Sequence, residues 1–91
     1  MKQFNEKQME YLKKFFSFHE DNHFFILVFK TNEHNSILIW LDKNKEDSFL
    51  DQLYDKLQEF ENDLDSEELN ITYEKHLKKL NKIYEELEKL N

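Results

Sequence analysis

Two apolar runs decide the fold of this chain: Phe24-Phe25-Ile26-Leu27-Val28-Phe29 and Ile37-Leu38-Ile39-Trp40-Leu41. The five residues between them, Thr31 to Asn35, are polar and have the length of a hairpin loop. Short runs of β-branched and aromatic residues bounded by Asn, Asp and Ser are typical of strands. The sequence therefore predicts an antiparallel hairpin over roughly His23 to Asp42, with its turn in Thr31 to Asn35.

Both faces of the predicted hairpin are apolar, because neither run alternates apolar with polar residues. Successive strand side chains point to opposite sides, so the first run divides into two sets: Phe24, Ile26 and Val28 on one face, and Phe25, Leu27 and Phe29 on the other. We expect both faces to be covered, by helices of the chain, by a second copy of the chain or by a partner protein.

The residues on either side of the hairpin have the three-to-four spacing of helices. A first helix is predicted from about Gln3 to Phe18. Asn44 is a suitable N-cap for a second helix, which carries leucines at positions 50, 53, 57 and 64 on one stripe. A third helix is predicted from Asp65, with Glu68 completing a capping box.

The predicted order of elements is α-β-β-α-α. This is an α+β fold in which three helices cover a two-stranded antiparallel hairpin and the last two helices form an antiparallel helical hairpin. Poor helix formers at Asn70-Ile71-Thr72 leave one alternative open, a short strand over Leu69 to Tyr73. Ninety-one residues make a single domain, residues 1–91.

Composition limits what the chain can do. It has no Cys, which excludes disulfides and thiolate zinc sites, and no Gly, which excludes glycine-rich phosphate-binding loops. No apolar run approaches the ~20 residues that span a bilayer, and no signal-peptide pattern opens the chain. Gly, Ala, Arg and Pro are absent while Lys, Asn, Ile and Phe abound, a bias typical of AT-rich coding sequence. We therefore expect a cytoplasmic protein from a low-GC bacterium, its phage or a plasmid.

Acidic residues are concentrated in one stretch. From Glu46 to Glu68 there are ten acids and one lysine, Lys56, a local net charge of −9, whereas the remaining residues carry +2. Asp51, Asp55 and Glu59 recur every four residues on one stripe, about 6 Å apart along the axis. Two steps of a DNA strand cover ~6.8 Å, so this row of carboxylates can occupy a groove that binds phosphates. The other interpretation is that the carboxylates only keep a surface helix soluble.

One pattern suggests catalysis. His19-Glu20-Asp21-Asn22-His23 matches H-E-x-x-H, the signature of zinc hydrolases, which requires both histidines on one face of a helix. Asp and Asn are poor helix formers, and a strand is predicted from Phe24, so the pattern lies where the first helix should stop. A zinc hydrolase stays a remote alternative. We expect no catalytic residues, no metal and no cofactor.

A chain of this length, with this order of elements, an AT-rich coding bias, an acidic stretch from Glu46 to Glu68 and no recognisable active site, resembles the small phage-encoded inhibitors of bacterial defence, of the anti-CRISPR and anti-restriction type. The resemblance implies that carboxylates of the second helix occlude the nucleic-acid-binding surface of a defence nuclease, a basic host protein. The contact residues that it implies are Asp51, Tyr54, Asp55, Glu59, Glu61, Asp63 and Asp65, with Tyr54 as an aromatic anchor. Direct binding to nucleic acid or to a membrane is not expected.

Two other functions stay open. The doubly apolar hairpin and the heptad-like spacing of both late helices fit a homodimeric structural or regulatory module. An antitoxin or immunity protein, acidic because its toxin is basic, is the second.

Overall fold

The computed structural model describes residues 3–63 and 71–91, including their side chains except those of residues 63 and 71–73. The class is α+β, as predicted, but the sheet has three strands and not two. The elements in chain order are α1 (Glu6–Leu12), β1 (Ser17–Glu20), β2 (Phe24–Lys30), β3 (Ser36–Asp42), α2 (Phe49–Asp63) and α3 (Ile71–Lys89).

The predicted hairpin is confirmed. β2 and β3 pair antiparallel, from Phe24 opposite Asp42 to Lys30 opposite Ser36. In the turn, the Asn32 side-chain oxygen accepts hydrogen bonds from the backbone N–H groups of His34 and Asn35, at 2.9 and 2.8 Å. Such side-chain-to-backbone bonds are the reason Asn favours turns, and they close this one without a glycine.

The first predicted helix is wrong in its second half, because residues 17–20 form the strand β1. This strand pairs antiparallel with β2, and Phe18 stacks on Phe25 with ring centroids 5.3 Å apart. The Asp21 carboxylate accepts the N–H groups of Phe24 and His23 at 2.6 and 2.7 Å, which builds the turn and lowers the pKa of Asp21. Pairing with a neighbouring strand overrides the local helical spacing here.

One face of the sheet forms the core of the molecule. Its buried residues are Leu27, Phe29, Ile37, Ile39 and Leu41, and they pack with buried residues of α1, α2 and α3. The short helix α1 is held by Gln8, which completes a capping box with Asn5 and donates from Nε2 to the Leu87 carbonyl at 2.9 Å. This buried amide joins the start of α1 to the end of α3.

The N-cap of the second helix is four residues later than the predicted N-cap Asn44. The cap is Ser48, whose hydroxyl oxygen accepts the Asp51 N–H at 3.1 Å. Asn44 instead donates its backbone N–H to the Asp42 carboxylate at 2.8 Å, in the turn that follows β3. The loop after β3 is therefore longer than the sequence pattern indicated.

Most of the predicted start of the third helix lies outside the described residues. Asp65, Glu68, Leu69 and Asn70 lie outside the described residues, and so does Leu64 of the second predicted stripe. Residues 71–73 are helical, so for these three residues the alternative of a short strand is wrong. No helix among residues 3–63 and 71–91 is long and apolar enough to cross a membrane.

The other face of the sheet is apolar and is not covered by α1, α2 or α3. We call it the open sheet face, and its apolar residues are Phe24, Ile26, Val28, Leu38 and Trp40. Leu38 is 45% exposed and Trp40 is 44% exposed, while the three residues of β2 are half-buried. Both faces were expected to be covered. The described helices cover only the core face.

Candidate functional site

The outer surface of α2 carries most of the predicted contact residues. The buried positions Phe49, Leu53 and Leu57 turn one stripe of this helix toward the core. The rest of the helix surface is exposed to solvent, with Asp51, Asp55 and Glu59 in one row and Tyr54 and Glu61 on the flank beside it. Of the remaining predicted residues, Asp63 ends α2 but its side chain is not described, and Asp65 lies outside the described residues.

Little positive charge opposes these carboxylates on α2 itself. Its single lysine, Lys56, is half-buried and lies 3.5 Å from the Glu59 carboxylate. An ion pair this exposed contributes on the order of 0.5 kcal/mol or less and exchanges readily with solvent. The Asp51, Asp55 and Glu61 carboxylates are exposed as well, so the surface remains strongly negative.

The neighbouring helix α3 adds two residues that the sequence did not indicate. The Tyr84 ring packs against Tyr54 with centroids 5.4 Å apart, and the Tyr84 hydroxyl donates to the Glu88 carboxylate at 2.8 Å. The i, i+4 spacing of Tyr84 and Glu88 is visible in the sequence, but only the packing of α3 beside α2 places them next to Tyr54.

Burial and the neighbouring carboxylates change the pKa of the Tyr84 hydroxyl. Its pKa is raised to about 12, chiefly because partial burial disfavours the charged phenolate, and further because of the hydrogen bond to Glu88 and the charges of Glu88 and Asp51. We define the acidic surface as the exposed residues of α2 together with this pair from α3: Asp51, Tyr54, Asp55, Glu59, Glu61, Tyr84 and Glu88. It is a negative surface with a tyrosine pair within it.

Absorbance of the phenolate tests this arrangement. We expect a tyrosine that ionises last, near pH 12, and we expect Tyr84→Phe to remove that step. Since the folded-state pKa lies above the ordinary 10.0, this contribution to stability is complete below about pH 10 and is lost as the pH rises toward 12. If Tyr84→Phe instead removed a step near the ordinary pKa of 10.0, this arrangement of Tyr84 would be contradicted.

The H-E-x-x-H pattern does not form a metal site of the hydrolase type. His19 and Glu20 are in β1, and His23 is in the turn after it, so the pattern is not on a helix. The Glu20 carboxylate instead pairs with the Lys43 ammonium at 2.6 Å. No group of three or more metal-ligating side chains comes together in the part of the chain that the structure describes. The geometry that the zinc hydrolase alternative requires is therefore not met by these residues.

Comparison with protein-family models, with curated proteins and with solved structures found no match to this chain.

Proposed function

We propose that this protein is an inhibitor that binds another protein, using the acidic surface to occupy a basic, nucleic-acid-binding surface. The target class is a nuclease of bacterial defence, the class implied by the resemblance to anti-CRISPR and anti-restriction proteins. The observation that supports the proposal best is the exposure of Asp51, Asp55 and Glu59 on one side of α2.

The spacing of these carboxylates fits a groove that holds a nucleic-acid strand. A rise of about 6 Å over four residues separates successive acids along the helix axis, close to the ~6.8 Å that two steps of a DNA strand cover along the duplex axis. Because a helix holds its side chains in a regular row, the acids need little reordering on binding, which keeps the entropic cost low. Nucleic acid itself would be repelled by this row, so the partner is a protein.

The tyrosine pair, Tyr54 and Tyr84, adds an aromatic contact to a surface that is otherwise charged. Tyr54 is 45% exposed and is backed by Tyr84, so its ring is held in place while one side remains free. Tyrosines at the centre of an interface commonly contribute more to affinity than the charges around them. The carboxylates would speed association and select a basic partner, and the Tyr54 ring would slow dissociation.

A competition assay with DNA tests the proposal. The probes are purified RNA-guided and restriction nucleases from low-GC bacteria, each bound to labelled DNA in a mobility-shift experiment. We expect the wild-type protein to displace DNA from at least one of them, with an effect that weakens as salt is raised. The triple variant Asp51→Asn, Asp55→Asn, Glu59→Gln should be at least about tenfold less effective, since each exposed charge contributes up to about 1 kcal/mol.

The matched control removes the same amount of charge elsewhere. Glu6, Glu10 and Glu33 are exposed on α1 and in the β2–β3 turn, and replacing all three with Gln changes the net charge equally. This control should still displace DNA as the wild type does. Equal loss in both triple variants, or no displacement from any nuclease tested, would contradict the proposal.

A further inference from the structure

Among the described residues, three large hydrophobic side chains are exposed, and two of them, Leu38 and Trp40, lie on the open sheet face. Leu38 and Trp40 lie side by side on β3, opposite Val28 and Ile26 of β2. Trp40 also packs edge-on against Phe24, with ring centroids 5.4 Å apart. A soluble monomer rarely leaves such a contiguous group of large apolar side chains in water. We propose that a second copy of this chain covers this face, with the two sheets packed face to face around a two-fold axis.

The charges at the ends of the face favour a second copy as the occupant. Lys30 pairs with Ser36 at one end of the β2–β3 ladder, and Asp42 pairs with Phe24 at the other. Paired strand residues point to the same side of a sheet, so both charged residues border the open sheet face. A two-fold axis across the strands brings Lys30 of each copy against Asp42 of the other, and both ends of the interface are then complementary.

The centre of the face also suits self-association. The chain carries a net charge of −7, yet the five apolar residues of this face bring no charge into the interface. The β1 residues on this side are Ser17 and His19, and neither is acidic. The acids of α2 are on the other side of the molecule, because the core face of the sheet lies between α2 and the open sheet face. Two copies can therefore meet here without bringing their acidic surfaces together, and both acidic surfaces remain free.

The size of the open sheet face indicates how strongly two copies of the chain should bind. The strands lie about 4.8 Å apart and rise ~3.3 Å per residue. Since β2 and β3 have seven residues and β1 has four, the face is at most roughly 14 by 23 Å. When the surface of the protruding side chains is counted, packing two such faces together buries on the order of 1,000 Å² of accessible surface. This is the lower limit for a specific interface. Interfaces this small are typical of weak complexes, so we expect a dimer that exchanges with monomer in the micromolar concentration range.

Sedimentation velocity on the full chain, from about 1 to 200 μM, tests the proposal. We expect monomer at the low end and dimer at the high end. The emission of Trp40, the one tryptophan of the chain, should shift to shorter wavelength over the same range. The variants Trp40→Gln and Leu38→Thr should each raise the dissociation constant at least tenfold. Because both side chains are already partly exposed, the circular dichroism of the monomer should not change.

A charge-exchange experiment tests the two-fold arrangement. Lys30→Glu and Asp42→Lys should each weaken the dimer, since each places like charges at both ends of the interface. An equimolar mixture of the two variants should regain wild-type affinity, because both end contacts then join opposite charges. If circular dichroism shows that Asp42→Lys is unfolded, the comparison of wild type with Lys30→Glu and with Trp40→Gln still decides the question.

Tyr54→Gln is the matched control, since Tyr54 is 45% exposed on the opposite side of the molecule. It should leave the dimer unchanged, and Trp40→Gln should leave DNA displacement unchanged, so the dimer and the inhibitor proposals fail independently. A chain that stays monomeric at 200 μM would overturn the dimer, as would a dimer insensitive to Trp40→Gln and Leu38→Thr. The second result would point to another surface, such as the outer edge of β3.

Discussion

Replacing Ile39 with alanine is expected to lower the free energy of unfolding by about 2–5 kcal/mol. Ile39 is fully buried at the centre of β3, within the cluster that joins the sheet to the three helices. The change removes three carbon atoms from this cluster and leaves a cavity that a packed core fills only partly. A domain of this size has roughly 5–15 kcal/mol of stability, so the loss should be plain in urea unfolding followed by circular dichroism.

The adjacent Leu38 provides the control on the same strand. Its side chain points to the open sheet face and is 45% exposed, so Leu38→Ala should cost less than about 1 kcal/mol in the monomer. The two variants should be compared at low micromolar protein concentration, where the proposed dimer contributes little to the free energy of unfolding. Equal losses at the two positions would mean that both faces of the sheet are buried within one copy, which would contradict the assignment of the core face.

Replacing Gln52 with methionine is expected to cost about 2 kcal/mol, although methionine is a good helix former of similar length. Gln52 is 5% exposed, and its amide bonds to both backbone groups of one residue at the end of β3. Its Oε1 accepts the Asp42 N–H at 2.6 Å, and its Nε2 donates to the carbonyl of Asp42 at 2.9 Å and of Asp47 at 3.2 Å. The variant leaves these partly buried groups without their partner, and urea unfolding measures the cost.

Gln58→Met is the matched control for this prediction. Gln58 is half-buried on the same helix, so the replacement has the same intrinsic effect on helix formation. We expect a change within about 0.5 kcal/mol. Should Gln52→Met prove equally mild, the Gln52 amide would not be what joins α2 to the edge of the sheet.

Prediction from the sequence was most accurate where the signal was local. The β2–β3 hairpin and its turn follow from two apolar runs and a polar spacer of five residues, and both agree with the structure. The division of side chains between the two faces also follows, because alternation in a strand is a property of the backbone. The exposure of the α2 acids follows from the helical period, since the leucines at positions 53 and 57 face inward.

The predictions were wrong where contacts between residues far apart in the chain determine the local structure. Residues 15–18 fit a helical stripe, and only pairing with β2 makes residues 17–20 a strand. Asn44 and Ser48 are both acceptable caps, and the turn built on Asp42 selects Ser48. Tyr84 and Glu88 could not be assigned to the acidic surface because their place depends on how α3 packs beside α2. In each case the competing local choices differ by about 1 kcal/mol or less, so tertiary packing decides between them.

By itself the sequence determined the hairpin, the α+β class and the location of the negative charge, because each depends on neighbours within a few positions of the chain. The tertiary structure decided which sheet face became the core and which residues of α3 joined the acids of α2. These outcomes depend on contacts between residues far apart in the chain, whose geometry no short stretch of sequence contains. The same contacts leave Trp40 and Leu38 on an open face, on the opposite side of the molecule from the carboxylates of α2.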